Sequence, residues 1–145
     1  MAMTTQTSAL LPVEPIQMVV TRTLACYTIP AHTKRIAINF KCSQFYIDKQ
    51  GIQPVEVQIE RASIEDSWEI RFIATFDYPT QESKNLDVSL YFNFHFGWFY
   101  QPDIERCELD RPEVKALFQT WLSAFLKHLQ QGRFDIQIVT ALKSF

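Results

Sequence analysis

The chain has 145 residues, 47% of them hydrophobic and 21% charged. That is the size of one ordinary globular domain, and size scaling gives burial of roughly 69% of the unfolded surface, enough for a core without disulfide or metal staples. That composition excludes disorder for most of the length, and fourteen Lys and Arg against sixteen Asp and Glu, a net charge of −2 with the signs interspersed, argue against a nucleic-acid binder, whose affinity rests on a basic patch releasing phosphate counterions.

Residues 1–13 are small, polar and aperiodic and are expected to form a flexible arm preceding a single domain over residues 14–145. Pro15 suits a first helical turn, and Ile16, Val19, Val20, Thr23 and Leu24 follow helical spacing, so a short N-terminal helix is expected despite the β-branched Val19, Val20 and Thr21. Ile36, Ile38 and Phe40 then alternate with polar neighbours as in a half-buried strand, and a loop holding Asp48, Gly51 and Pro54 follows. Val55, Val57 and Ile59 alternate with Glu56, Gln58 and Glu60. Trp68, Ile70, Phe72, Ala74 and Phe76 do the same in the next run, where Ile73 alone is out of step. The short linker between these runs predicts an antiparallel hairpin.

Leu86, Val88, Leu90, Phe92, Phe94 and Phe96 give the longest alternating signal, a predicted strand of about 33 Å and the expected spine of the sheet. Its polar side would carry Asp87, Ser89, Tyr91, Asn93 and His95. Gly97 permits a turn or bulge before a short strand at Trp98-Phe-Tyr-Gln. Asp110 as N-cap and Glu113 three residues later resemble a capping box. They open an amphipathic helix over Pro112 to Gln131, with Val114, Leu117, Phe118, Trp121, Leu122, Phe125, Leu126 and Leu129 on one face and Gly132 as its stop. Phe134, Ile136 and Ile138 form a closing strand. The fold class that follows is α+β: an antiparallel twisted sheet with one face covered by the long C-terminal helix, aided by the N-terminal one.

Asn39-Phe, Tyr46, Gly51, Pro54-Val-Glu, Trp68, Phe76-Asp-Tyr, Phe92-Asn-Phe, Gly97-Trp-Phe, Trp121, Phe125 and Gly132-Arg-Phe-Asp-Ile-Gln-Ile resemble, over about residues 36–139, a family of short bacterial proteins of unknown function found on genomic islands. That family is similar in fold to the mitochondrial acidic matrix glycoproteins that bind the globular heads of complement. The resemblance implies an antiparallel sheet flanked by N- and C-terminal helices and no catalytic residue. Those relatives are ring-shaped trimers with a strongly acidic face, a pattern from which this chain departs at −2.

Chemistry is poorly equipped throughout. Cys26, Cys42 and Cys107 are widely spaced and read as reduced, partly buried thiols, and His32, His95 and His128 share no metal-ligand spacing. No cofactor and no metal is expected, and glycine-rich phosphate loops and a nucleophile-elbow Ser are lacking. Glu56, Glu60 and Glu69, near Arg61 and Arg71, read as cross-strand ion pairs. Apolar runs are far shorter than the roughly 20 residues of a membrane span, and the N-terminus lacks a secretory signal's charged start, so no membrane partner and a cytoplasmic location are expected. Phe94 to Gln101 is the densest aromatic stretch. Not all its rings can face the core if alternation holds, so Trp98, Phe99 and Tyr100 are the expected contact residues of a non-enzymatic protein-interaction module, with self-association as one form. The rival expectation is a small-ligand binder or enzyme with a pocket between sheet and helix, using His95 or the hairpin carboxylates.

Overall fold

A computed structural model describes residues 11–145. In chain order the elements are α1 (Glu14–Leu24), β1 (Thr33–Lys41), α2 (Ser43–Asp48), β2 (Val55–Glu60), β3 (Glu69–Asp77), β4 (Asp87–Asn93), β5 (Trp98–Gln101), β6 (Glu105–Glu108), α3 (Pro112–Gln130) and β7 (Ile136–Ser144). The seven strands form one antiparallel sheet in the order β6-β5-β4-β3-β2-β1-β7. The α+β class read from the sequence therefore holds, with β3 rather than β4 at the centre. Most of the expected arm lies outside the described residues; of its last three residues, Leu11 is buried in the core and Val13 packs against it.

Strands β1 to β6 are laid down as a meander, and the last connection returns across the whole sheet. A helix of 19 residues is roughly 28 Å long at about 1.5 Å per residue. The six interstrand steps from β6 to β7 cover nearly the same distance at about 4.8 Å each. The length of α3 is thus what lets one helix cross the sheet and deliver β7 to the far edge, beside β1. Its apolar stripe buries Val114, Phe118, Leu122 and Phe125, and Phe125 meets Phe40 of β1 edge-on at 5.3 Å. α1 lies on the same face, burying Ile16, Val19, Val20 and Thr23.

The start of α3 differs from expectation. Arg111 occupies the N-cap with no side-chain cap bond, so Asp110 closes no capping box. Pro112 at the first turn and Glu113 against the helix dipole remain as start signals. Gly132 does end the helix, at φ 70°, with Arg133 N–H donating to the His128 carbonyl at 2.9 Å.

Three strands also depart from the reading. β3 pairs Gln58 with Phe72 but Ile59 with Ile70, so Arg71 is an inserted residue. Because side chains alternate with period two, that bulge moves every later residue to the opposite face. Ile73 and Thr75 are therefore buried toward the helices, opposite Val57 and Val55, and Phe72, expected beside Ile70, lies on the other side. β4 stops at Asn93 instead of running to Phe96, and residues 94–97 turn. β6 was not expected at all, and neither was the six-residue α2. The first residue of α2, Ser43, donates its backbone N–H to Asp135 Oδ1 at 2.8 Å and its hydroxyl to Oδ2 at 2.5 Å, so the partner that caps this short helix comes from the residue just before β7.

Candidate functional site

With α1 and α3 on one side, the other side of the sheet is left bare by them among the described residues, and the β4–β5 hairpin decides which rings reach it. Tyr91 pairs with Tyr100, Phe92 with Phe99 and Asn93 with Trp98. Directly opposite residues share a face, so Phe99 follows Phe92 into the core. It is 1% exposed, with ring centroids 5.1 Å apart and Phe118 against Phe92 at the same distance. Phe99 is thus a core residue and not a contact residue. The expectation failed because strict alternation in β5 puts the middle one of three aromatics inward. Trp98 and Tyr100 project to the bare face, each half-buried.

The turn that sets this register is held by Asn93. It is 5% exposed, its Oδ1 accepts the Phe96 backbone N–H at 2.8 Å, and the Gly97 N–H donates to its carbonyl at 2.9 Å. Gly97 takes φ 79°, a left-handed conformation that a Cβ would strain. Phe94 folds back on Phe118 at 5.7 Å, while Phe96 and His95 are exposed. The expected polar row ending at His95 is therefore broken.

On the bare face the rings form a chain. Phe72, turned outward by the Arg71 bulge, lies 5.0 Å from Tyr91, and Tyr91 lies 5.0 Å from Trp98. The Arg106 guanidinium carbon of β6 sits 5.0 Å from the Trp98 ring centroid, within cation–π range, and Tyr100 pairs with Arg106 in the β5–β6 register. Asn93 Nδ2 donates to Tyr91 Oη at 3.3 Å, which restrains that ring. Trp98 and Tyr100, singled out from the sequence, lie on this face together with Phe72, Tyr91 and Arg106, which the sequence reading did not single out. This arrangement offers a rigid aromatic surface with polar tips, and it holds no activated nucleophile.

Beside it runs an ion-pair row. Glu60 accepts from Arg35 at 2.6 Å and from Arg71 at 3.4 Å. Burial alone would raise the Glu60 pKa, but the hydrogen bond and charge of Arg35, with Arg71 and Lys34, outweigh it and hold the carboxyl below its ordinary value. A carboxylate so paired stays ionised and is a poor general acid. Glu56 accepts from Asn39 Nδ2 at 3.2 Å. Glu60 and Glu69, opposed in the hairpin, line a depression of about 300 Å³ with Arg61, Arg71, Phe94 and His95.

The sheet–α3 seam holds a cavity of about 150 Å³ lined by Thr75, Trp121, Phe125, His128 and Phe134 among others, below the roughly 300–1,000 Å³ of small-molecule sites. A wider groove, about 550 Å³, separates α1 from β2 and β3, and its polar lining is Gln17, Thr21 and Ser67, with no titratable side chain. Cys26 is exposed, contrary to expectation, while Cys42 and Cys107 are half-buried, and all three are free thiols. Among the described residues no group of His, Cys, Asp or Glu could hold a metal, and no helix is long and apolar enough to cross a membrane.

Residues 15–139 match a family described as protein of unknown function (DUF2787). The chain belongs to the DUF2787 family. Two solved structures are similar to this DUF2787 protein. The hypothetical protein VC0508 from the VSP-II pathogenicity island of Vibrio cholerae shares 23% identity over 92% of this chain and 95% of its own, with a TM-score of 0.80. The conserved hypothetical protein VC1805 from the VPI-2 island of Vibrio cholerae shares 25% identity over 90% and 95%, with a TM-score of 0.76, and is described as sharing structural homology with the human P32 protein. The fold likeness to the mitochondrial acidic matrix proteins expected from the sequence is borne out through that neighbour. A search of curated proteins finds no significant match.

Proposed function

We propose that this DUF2787 protein is a non-enzymatic protein-interaction module that holds a partner protein on the bare face of its sheet. The observation that carries the reading is the chain of rings Phe72, Tyr91 and Trp98, flanked by Tyr100 and Arg106, on the face that the helices among the described residues leave uncovered. Trp, Tyr and Arg are the residue types that dominate binding energy at protein interfaces, because large rigid side chains bury much area at little entropic cost. The rings are braced by one another and by Asn93, so the surface is formed before any partner arrives. Residence in the cytoplasm goes with this reading, since three free cysteines persist most readily in a reducing compartment.

The test is capture from the native cell with wild-type protein, Trp98→Ala and Tyr100→Ala, each first shown to be folded by circular dichroism. A partner retained by the wild type should be lost from both variants. Equal capture by all three proteins, or no partner saturable by purified wild-type protein, refutes the reading.

A further inference from the structure

An open sheet has two edges, and the two edges here differ. β6 is four residues long and includes Arg106 and Glu108, the short, charged form in which edge strands are usually kept from pairing. β7 is nine residues long, carries Lys143 as its one charge and contains neither Pro nor Gly. Among the described residues it pairs on one side only, with β1. Ile138 is 42% and Leu142 46% exposed. Ahead of the bulge at Leu142, the stretch Ile136–Ala141 is regular and uncharged, and such an edge presents outward-facing backbone N–H and C=O groups as a template for one more strand.

The sequence of β7 indicates which strand that is. Antiparallel pairing with a second copy places a two-fold axis perpendicular to the sheet, and residues of like face then stand opposite one another. With the axis at Thr140, Ile138 faces the partner's Leu142 and Val139 faces the partner's Ala141, while Lys143, which pairs with Arg35 beyond the bulge, lies outside the matched stretch. Apolar meets apolar along the strand, and no like charges oppose. Leu142 follows the inward Ala141 and so points to the bare face, where Ile138 also lies, and the register shift leaves it unpaired with β1, beside Lys143. The same axis keeps α1 and α3 of both copies on one side and makes the bare faces of the two sheets continuous.

We infer that this protein forms a two-fold dimer by antiparallel pairing of β7 with β7 of a second copy, which makes one continuous sheet from two. The contact is an edge with few side chains, smaller than the standard interfaces of roughly 1,200 Å² and above, so the association depends on concentration. It is independent of the ring surface, since β7 lies at the opposite edge from β5 and β6.

Sedimentation of the full chain from low to several hundred micromolar tests it. The wild type should rise from 17.0 kDa to twice that mass. Thr140→Lys sets two ammonium groups opposite one another, and Thr140→Glu two carboxylates, at an exposed position. Each variant should stay at 17.0 kDa, and an equimolar mixture of the two should regain the doubled mass. A wild type that stays monomeric throughout overturns the inference. So does a Thr140→Lys variant that still associates, which would place the contact elsewhere. Neither result bears on the effect of Trp98→Ala on partner capture.

Discussion

Neighbouring residues on opposite faces of β5 give the sharpest test of the fold. Phe99→Ala removes a ring that is 1% exposed and packed at 5.1 Å against Phe92, which should leave a cavity and cost about 3–5 kcal/mol. Trp98→Ala removes a larger ring, but one facing solvent on its outer side. Its loss is the contact with Tyr91, worth about 0.5–1.5 kcal/mol, and the contact with Arg106, worth about 0.5–1 kcal/mol at an exposed site. No closed cavity forms, so the sum should be about 1–2.5 kcal/mol, roughly 2 kcal/mol less than for Phe99. Out of a typical total of about 5–15 kcal/mol, the first change removes a large fraction and the second a modest one. Urea unfolding followed by circular dichroism, with equal m-values, measures both. If Trp98→Ala costs as much as Phe99→Ala, β5 is the other way up, and the ring surface does not exist.

Asn93→Ala leaves the Phe96 N–H without its acceptor and should cost about 1 kcal/mol by urea unfolding, while Asn93→Asp, which keeps an acceptor oxygen but desolvates a carboxylate, should recover only part of it. His128 has its pKa lowered from 6.5, first by burial and then by Arg133 and Lys127. The unfolded chain therefore binds more protons near that value. Stability should be full above pH 6.5 and fall as pH drops through the folded-state value. His128→Gln should flatten that part of the pH–stability curve, and an unchanged slope would assign it to another group. Asp135 is held below its ordinary pKa by hydrogen bonds from the Ser43 side chain and backbone. Asp135→Ala and Ser43→Ala should each lower the melting temperature, and the double variant should fall by less than the sum of the two, because one contact is removed only once.

Elements with many periods were legible in the sequence, and of the shortest ones β5 was found after Gly97 while β6 and α2 were not. α3 shows eight apolar residues at helical spacing, and packing against the sheet uses that same stripe. β6, with four residues, and α2, with six, are too short for a period to emerge, and α2 draws its cap from Asp135, far off in the chain. β4 was overextended because period-two alternation continues through Phe94 and Phe96 in the sequence. Asn93 and Gly97, four residues apart, were the competing turn signal, and the Asn93 side chain satisfies the turn's backbone. The Arg71 bulge had one trace, Ile73 out of step. A single apolar residue off phase is what an inserted residue leaves behind, and taking it as such would have placed Phe72 on the bare face and completed the ring surface from sequence alone.

The fold likeness to P32 and the surface of this protein point to different sources of binding energy. The resemblance read from the sequence brings with it a strongly acidic face, which attracts partners at a distance and weakens with salt. Here the bare face mixes Arg35, Arg71 and Arg106 with Glu56, Glu60 and Glu108, and Glu60 is tied up by two of those arginines. Paired charges of both signs cancel beyond a few ångströms and leave little field to steer an acidic or a basic partner. The Phe72–Tyr91–Trp98 chain remains as the feature able to pay for desolvation on contact. On the proposed reading, the helix-covered side supplies the shared architecture, while specificity lies in a few rings whose placement depends on one bulge in β3 and one asparagine-held turn after β4.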